Sequence, residues 1–317
     1  MEFIDVFNGD ADGLTSLYQW RKEFKVDSTL VTGVKRDIQL LSRVTPKKSQ
    51  TVTVFDISLK SNLSRLKNFF QTGTQIVWFD HHQRGECQEN ENITLHIDEN
   101  PNTCTSNIVN TVVQGKYKKW ASVGAFGDNA KALGAKLASE AGAEEDETES
   151  LERLGTLLNY NSYGESLDDL HYPPLDIYRE MVTFAEPLSF FQNSPLVKNL
   201  ETGYKDDAIK AETATSEDFS ERAAIYFLPD ERWARRIVGT FANSLSLKFR
   251  GRAHAVLLKM GKGWQVSVRA PKENPSGADT LCSAFNTGGG RGAAAGINFL
   301  PDIDGSSFAD RFKKSFC

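Results

Sequence analysis

The sequence predicts an α/β protein: a mostly parallel sheet, then a second, smaller α/β domain. Three observations carry this. Short apolar runs alternate with helical stretches up to Asp80, acidic and histidine residues recur where those runs end, and from Ala223 the texture changes to strands joined by glycine turns.

Phe3-Ile4-Asp5-Val6-Phe7 reads as a strand that breaks at Asn8-Gly9-Asp10 and passes into a helix through Leu14 to Trp20. The pattern then repeats. Ser28 to Val34 reads as a strand, Asp37 to Val44 as a short helix, Gln50 to Ile57 as a strand and Leu59 to Gln71 as a helix. Gln75 to Phe79 is a further strand, ending in Asp80-His81-His82. Strands and helices of these lengths in alternation imply βαβ units, whose strand ends gather polar residues on one rim.

Thr103 to Gly115 and Ala121 to Asp128 read as helical, the first opened by a Thr or Ser cap. The run from Glu140 to Glu152 holds seven acidic residues and reads as a solvated helix end or loop. Helical patterns follow over Leu151 to Asn159 and, after Pro173-Pro174, over Leu175 to Phe191. Residues 195–222 are polar and of mixed charge and read as a connector between domains at 1–194 and 223–317. In the second domain a strand is expected at 224–228, a long helix at Arg232 to Phe249, and two strands, Ala253 to Met260 and Trp264 to Ala270, joined through Gly261-Lys262-Gly263. A helix near Ala278 to Phe285, a glycine run at 287–296, a strand at Ile297 to Leu300 and a last helix from Ser307 complete it.

A chain of 317 residues suits about two domains at roughly 150 residues each. Its 37 basic and 42 acidic residues leave a net charge of -5, so the strongly basic footprint of a protein gripping long duplex nucleic acid is missing. Small or short anionic substrates suit it better. Cys87, Cys104, Cys282 and Cys317 are scattered, which argues against both a zinc ribbon and a disulfide framework. No apolar run approaches the roughly 20 residues of a membrane helix, and the start lacks a basic segment followed by an apolar one, so a cytoplasmic, unanchored protein is expected.

Four clusters of hard or imidazole ligands are expected where strands end: Asp10 with Asp12, Asp56, Asp80-His81-His82, and Asp128 after Gly124-Ala125-Phe126-Gly127. Carboxylates cannot share a pocket while ionised unless cations neutralise them, so the set points to a metal. Mixed carboxylate and imidazole ligands favour manganese, with magnesium, iron or cobalt behind it. Taken singly, Asp10-Ala11-Asp12-Gly13 and Asp56 also read as helix caps; the adjacent histidines are the hardest to assign to packing.

Asp80-His81-His82 after Val77-Trp78-Phe79 resembles the name-giving motif of the DHH phosphoesterase superfamily, and Asn8-Gly9-Asp10-Ala11-Asp12-Gly13 resembles its first motif. Asp56 and Gly124-x-x-Gly127-Asp128 match the remaining two. Gly288-Gly289-Gly290-Arg291-Gly292-Ala293-Ala294-Ala295-Gly296 resembles the glycine signature of the DHH-associated C-terminal domain, with Arg291 where the family has histidine and Asn8 where it has a histidine or aspartate ligand. An arginine keeps phosphate affinity but does not donate a proton near neutral pH.

The resemblance implies an N-terminal parallel sheet with helices on both faces, a cleft between the domains, and two-metal phosphoester hydrolysis. Two Mn2+ ions are expected, with Mg2+ or Co2+ as substitutes, on Asn8, Asp10, Asp12, Asp56, His81 and Asp128, Asp56 bridging. His82 would contact the substrate phosphate, Asp80 would orient its neighbours, and Gly288, Gly289, Gly290 and Arg291 would cradle a far phosphate or terminus. The expected substrate is a small phosphorylated molecule, a nucleotide or a short single-stranded oligonucleotide. A single-strand exonuclease and a non-catalytic nucleotide or nucleic-acid sensor are the alternatives, and monomer and homodimer both stay open. His96, His171 and His254, and Trp233 and Trp264, are expected to serve packing. The polar, aromatic stretch 159–164 is a weaker candidate pocket wall.

Overall fold

Strand β1 (Glu2–Phe7) shows how the sequence builds the first sheet. Successive side chains of a strand face opposite ways. Ile4 and Val6 therefore enter one apolar cluster with Val52, Val54, Leu66, Phe69, Ile76 and Trp78, while Asp5 and Phe7 face the other side. The charge of Asp5 within that apolar run is answered by Arg21, whose Nε donates to Oδ2 at 2.6 Å and whose second nitrogen donates to Oδ1 at 2.5 Å, and by the Ser28 hydroxyl at 2.6 Å.

The structure is a computed structural model that describes residues 2–87 and 90–317. The chain divides into two units, Met1–Thr202 and Gly203–Cys317. The first continues with α1 (Ala11–Glu23), β2 (Thr29–Thr32), a 3-10 turn at Leu40–Arg43, β3 (Gln50–Phe55), α2 (Leu59–Thr72), β4 (Gln75–Asp80) and β5 (Ile93–Ile97). Its five strands lie in the order β2-β1-β3-β4-β5, and every neighbouring pair is parallel. Helix α2 covers the Ile4 and Val6 face, capped by Ser58 at its start and by Gly73, at φ 71, at its end. Helix α1 covers the other, where Trp20 meets Phe55 and Phe79. A parallel sheet with helices on both faces is thus what forms.

A helical layer follows: α3 (Thr105–Val112), α4 (Lys118–Gly127), α5 (Lys131–Glu140), α6 (Glu145–Ser162), α7 (Pro174–Met181), α8 (Pro187–Asn193) and α9 (Pro195–Glu212). The acidic run opens α6, where Glu145, Asp146 and Glu147 complement the positive helix end. The single helix expected over 175–191 is two, because Pro187 sits at the first turn of α8. Residues 195–222, expected as a connector, form α9 and strand β6 (Thr215–Ser220) instead, and the division between units falls at 202/203. Backbone hydrogen bonding organised a segment that its polarity alone made look irregular.

The second unit adds β7 (Ala223–Leu228), α10 (Arg232–Lys248), β8 (Ala253–Met260), β9 (Gly263–Arg269), α11 (Ala278–Ser283), β10 (Gly288–Arg291), β11 (Ala294–Pro301) and α12 (Gly305–Phe316). Its sheet runs β10-β11-β9-β8-β7-β6, antiparallel except for β7 with β8. Ile225, Leu257, Val266, Val268 and Ile297 form the core of this unit with Leu281, Phe308 and Phe312 of α11 and α12. Burying each such side chain contributes about 1.5–3 kcal/mol. Among the described residues no helix is long and apolar enough to cross a membrane.

Candidate metal centre

Every strand of the parallel sheet ends on the same rim, and the chain leaving four of them supplies the site: Asn8, Asp10 and Asp12 after β1, Lys35 after β2, Asp56 after β3, and His81 and His82 after β4. Asp128, the residue that ends α4, joins them. Its position depends on close helix packing. A Cβ on Gly124 would lie 2.3 Å from the Ser106 hydroxyl and 2.4 Å from that of Thr15, and one on Gly127 would lie 2.3 Å from the Ala11 Cβ.

Both carboxylates of the first motif cap helices. Asp10 Oδ1 accepts from the Gly13 N–H at 3.1 Å at the start of α1. Asp12 accepts from the N–H groups of Thr105 at 2.8 Å and Ser106 at 2.7 Å. Helix α3 therefore takes its cap from a residue far upstream, not from the Thr or Ser expected beside it; its own N-cap, Cys104, makes no side-chain cap bond. Each Asp12 oxygen keeps a further lone pair for a cation.

Asp56 stands at φ 56, the left-handed region that aspartate tolerates better than most residues. The Thr105 hydroxyl donates to its Oδ1 at 3.1 Å. His81 Nε2 lies 3.5 Å from Asp56 Oδ1 and 3.6 Å from Asp128 Oδ2. Two groups of ligand atoms converge within 4.8 Å: Asp56, His81 and His82, and Asp12, His81 and Asp128. His82 is half-exposed, with Nδ1 2.7 Å from Asp80 Oδ1, while the other oxygen of the fully buried Asp80 accepts from the Leu59 N–H at 3.2 Å. One carboxylate thus sets the His82 ring and ties it to the start of α2.

Burial pushes the Asp56 carboxyl well above the ordinary carboxylate range, and the charges of Asp10, Asp12 and Asp128 push it the same way, against Lys35. Burial also raises Asp128; Lys35 opposes and Asp12 adds to the rise. At His82 burial disfavours the charged ring, but the Asp80 hydrogen bond and charge outweigh it and the pKa rises. Lys35 alone does not offset the clustered carboxylates. A divalent cation on these carboxylates and His81 is the chemistry that corrects this, and the oxygen and imidazole donors fit manganese or magnesium.

Asn8 and Asp10, expected as ligands, both meet Lys35, while Asn8 Oδ1, the atom that would coordinate, has no hydrogen-bond partner among the described residues. Asn8 Nδ2 donates to the Lys35 carbonyl at 3.3 Å. The Lys35 ammonium lies 2.5 Å from Asp10 Oδ2 and 4.0 Å from Asp128 Oδ1, and it donates to Asn159 Oδ1 at 2.9 Å. Burial works against the charge of Asp10, but Lys35 and the Gly13 N–H outweigh it and hold the carboxyl below its ordinary range. Tyr163 has its ring centroid 5.8 Å from the same ammonium, so two residues of the 159–164 stretch border the site. Sequence reasoning missed Lys35, although the signal existed: it follows a predicted strand onto the ligand rim.

The glycine run forms β10 and the start of β11, an antiparallel pair at the sheet edge. A Cβ on Gly288 would meet the Cys282 carbonyl oxygen at 1.8 Å, and Gly290 has φ 144, so packing and backbone conformation require both glycines. Gly289 and Arg291 are exposed. The other aromatic and histidine candidates pack. His171 Nε2 meets the Tyr160 hydroxyl at 2.7 Å, His96 stacks on Phe79, and Trp264 lies edge-on to Phe227. The Trp233 Nε1 donates to Glu231, and none of the four cysteines is in a disulfide.

The fold is shared with several solved structures. An exonuclease RecJ bound to manganese superposes with a TM-score of 0.60 at 14% identity, over 99% of this chain and 89% of that one. The pGpG-specific phosphodiesterase PggH from Vibrio cholerae gives 0.60 at 12% identity, over 99% and 98%. An exopolyphosphatase-related protein from Bacteroides fragilis gives 0.53 at 14%, over 99% and 91%. The sequence matches none of the curated proteins compared with it. Residues 4–137 match the DHH family, N-terminal domain. That match covers β1 through most of α5, and with it every residue of the rim, so residues 4–137 carry the likeness to the DHH family N-terminal domain.

Proposed function

We propose that this protein hydrolyses phosphoesters of nucleotides or short oligonucleotides with a divalent cation, manganese being the preferred ion. The observation that carries the reading is the convergence of Asp12, Asp56, His81 and Asp128 on one rim, with burial and mutual repulsion raising Asp56 and Asp128. A cation bound there supplies Lewis acidity toward a phosphoryl oxygen and activates water for attack.

The protein's own groups do the rest. Asp12, Asp56, Asp128 and His81 would hold the ion. His82, half-exposed and oriented by Asp80, would donate a hydrogen bond to a phosphoryl oxygen, and its raised proton affinity keeps it suited to that role. Nucleotide-sized substrates are supported by the net charge of -5, which disfavours long polyanions, and by the likeness of fold to a pGpG-specific phosphodiesterase and to RecJ.

The test is product release by purified, manganese-loaded protein from two-, five- and twenty-nucleotide strands, cyclic dinucleotides, a nucleoside bisphosphate and inorganic polyphosphate, with Asp56→Asn beside it. Metal-dependent turnover of the short substrates that vanishes in Asp56→Asn is expected. Near-normal rates in that variant overturn the assignment. Equal rates on long and short strands favour an exonuclease, and tight binding without turnover favours a sensor.

A further inference from the structure

Lys35 meets both residues that would begin a second cation site, Asp10 through a carboxylate oxygen and Asn8 through its amide nitrogen. Its backbone carbonyl takes the Asn8 amide, and its ammonium takes Asp10 Oδ2 at 2.5 Å. The other Asp10 oxygen accepts from Gly13. Asn8 Oδ1 is buried and has no hydrogen-bond partner among the described residues, but an amide oxygen alone is a poor anchor for a divalent ion. Both groups of ligand atoms that converge within 4.8 Å leave Asp10 out.

Charge placement points the same way. Asp10, Asp12, Asp56 and Asp128 crowd one rim, and Lys35 faces two of them. One divalent ion with the ammonium sets three positive charges against four carboxylates, and a second divalent ion on Asp10 would stand directly against the ammonium. The lysine is also fixed in place, because Asn159 accepts from the ammonium at 2.9 Å and the Lys35 N–H donates to the Ser162 carbonyl at 2.9 Å.

We propose that the centre takes a single divalent cation, on Asp12, Asp56, His81 and Asp128, and that the Lys35 ammonium is the built-in positive charge standing on Asp10 in place of a second ion. The proposal rests on the metal-dependent reading above. Lys35 acts here as a positioning residue: it holds Asp10 and Asn8 in place and balances the rim.

The experiment titrates Mn2+ alone into the whole metal-free chain, counts bound ions by equilibrium dialysis and records the electron paramagnetic resonance spectrum. Wild type is expected to bind one ion with the spectrum of an isolated Mn2+. Lys35→Met, near in size and uncharged, is expected to admit a second ion and show spin coupling, whereas Lys35→Arg stays at one. Two coupled ions in wild type overturn the proposal and leave the hydrolase reading standing. One ion without turnover on any substrate does the reverse, and no bound Mn2+ overturns both. The wild-type count needs no variant to fold; a folded Lys35→Met protein still limited to one ion overturns the assignment to Lys35.

Discussion

Asp12 accepts the backbone N–H of Ser106 at 2.7 Å, a bond that joins the first helix of the sheet to the start of α3 across 94 residues of sequence. One carboxylate therefore serves as a helix cap and as a candidate ligand. Asp12→Ala should lower stability by about 2 kcal/mol even without metal, because two buried N–H groups lose their acceptor. Urea denaturation of the metal-free variant checks this, and an unchanged midpoint would remove the capping role.

Asp56→Asn separates the two functions that Asp12 combines. Asparagine accepts the left-handed backbone and keeps the Thr105 bond. The folded pKa of Asp56 lies well above the ordinary 3.8. The folded state thus binds the proton more tightly than the unfolded chain, and this group's contribution is full at low pH and declines as pH rises from about 4 through the folded value. At neutral pH the metal-free Asp56→Asn protein should melt at or above wild type, yet lose most of the rise that Mn2+ gives wild type. Calorimetry with and without Mn2+ reads both.

His254 should give the opposite pH dependence in the second unit. It is fully buried in β8, both ring nitrogens lack partners among the described residues, and burial, aided by Arg252, pushes its pKa down to about 4. The unfolded chain then binds the proton more tightly, so stability is full above pH 6.5 and is lost as pH falls toward 4, by up to about 3 kcal/mol. His254→Phe keeps a ring between Tyr226 and Phe249 and should abolish that acid-side loss. Denaturation at pH 7.5 and 4.5, wild type against variant, decides it.

Gly127→Ala tests how Asp128 is placed. The new Cβ would lie 2.3 Å from that of Ala11 and 3.0 Å from the Gly155 carbonyl oxygen. Moving α4 away should cost about 1–3 kcal/mol and weaken Mn2+ binding more than tenfold by displacing Asp128. Undiminished affinity in a folded variant would show that the ligand position does not depend on this contact.

The parallel sheet and most ligands were legible from local pattern. Alternating apolar runs set which residues become β1, β3 and β4, and a parallel sheet sends all their ends to one rim, so Asp56 and His81 were readable as neighbours from strand ends alone. Other segments were not singled out as elements: β5, although Ile93, Leu95 and Ile97 alternate, and α5; the polar 195–222 hid α9 and β6, and the glycine run hid a strand whose partner, β11, lies across a turn. Tertiary structure alone decided what each charge faces. Lys35 stands after a strand like the other rim residues, but nothing local names Asp10 as its partner, or tells Asp12 to cap α3 rather than its own helix. The physical reason is range: hydrophobic period and turn chemistry act over a few residues and are written in the chain, whereas the electrostatic partner of a buried charge is chosen by the packing of elements distant in sequence.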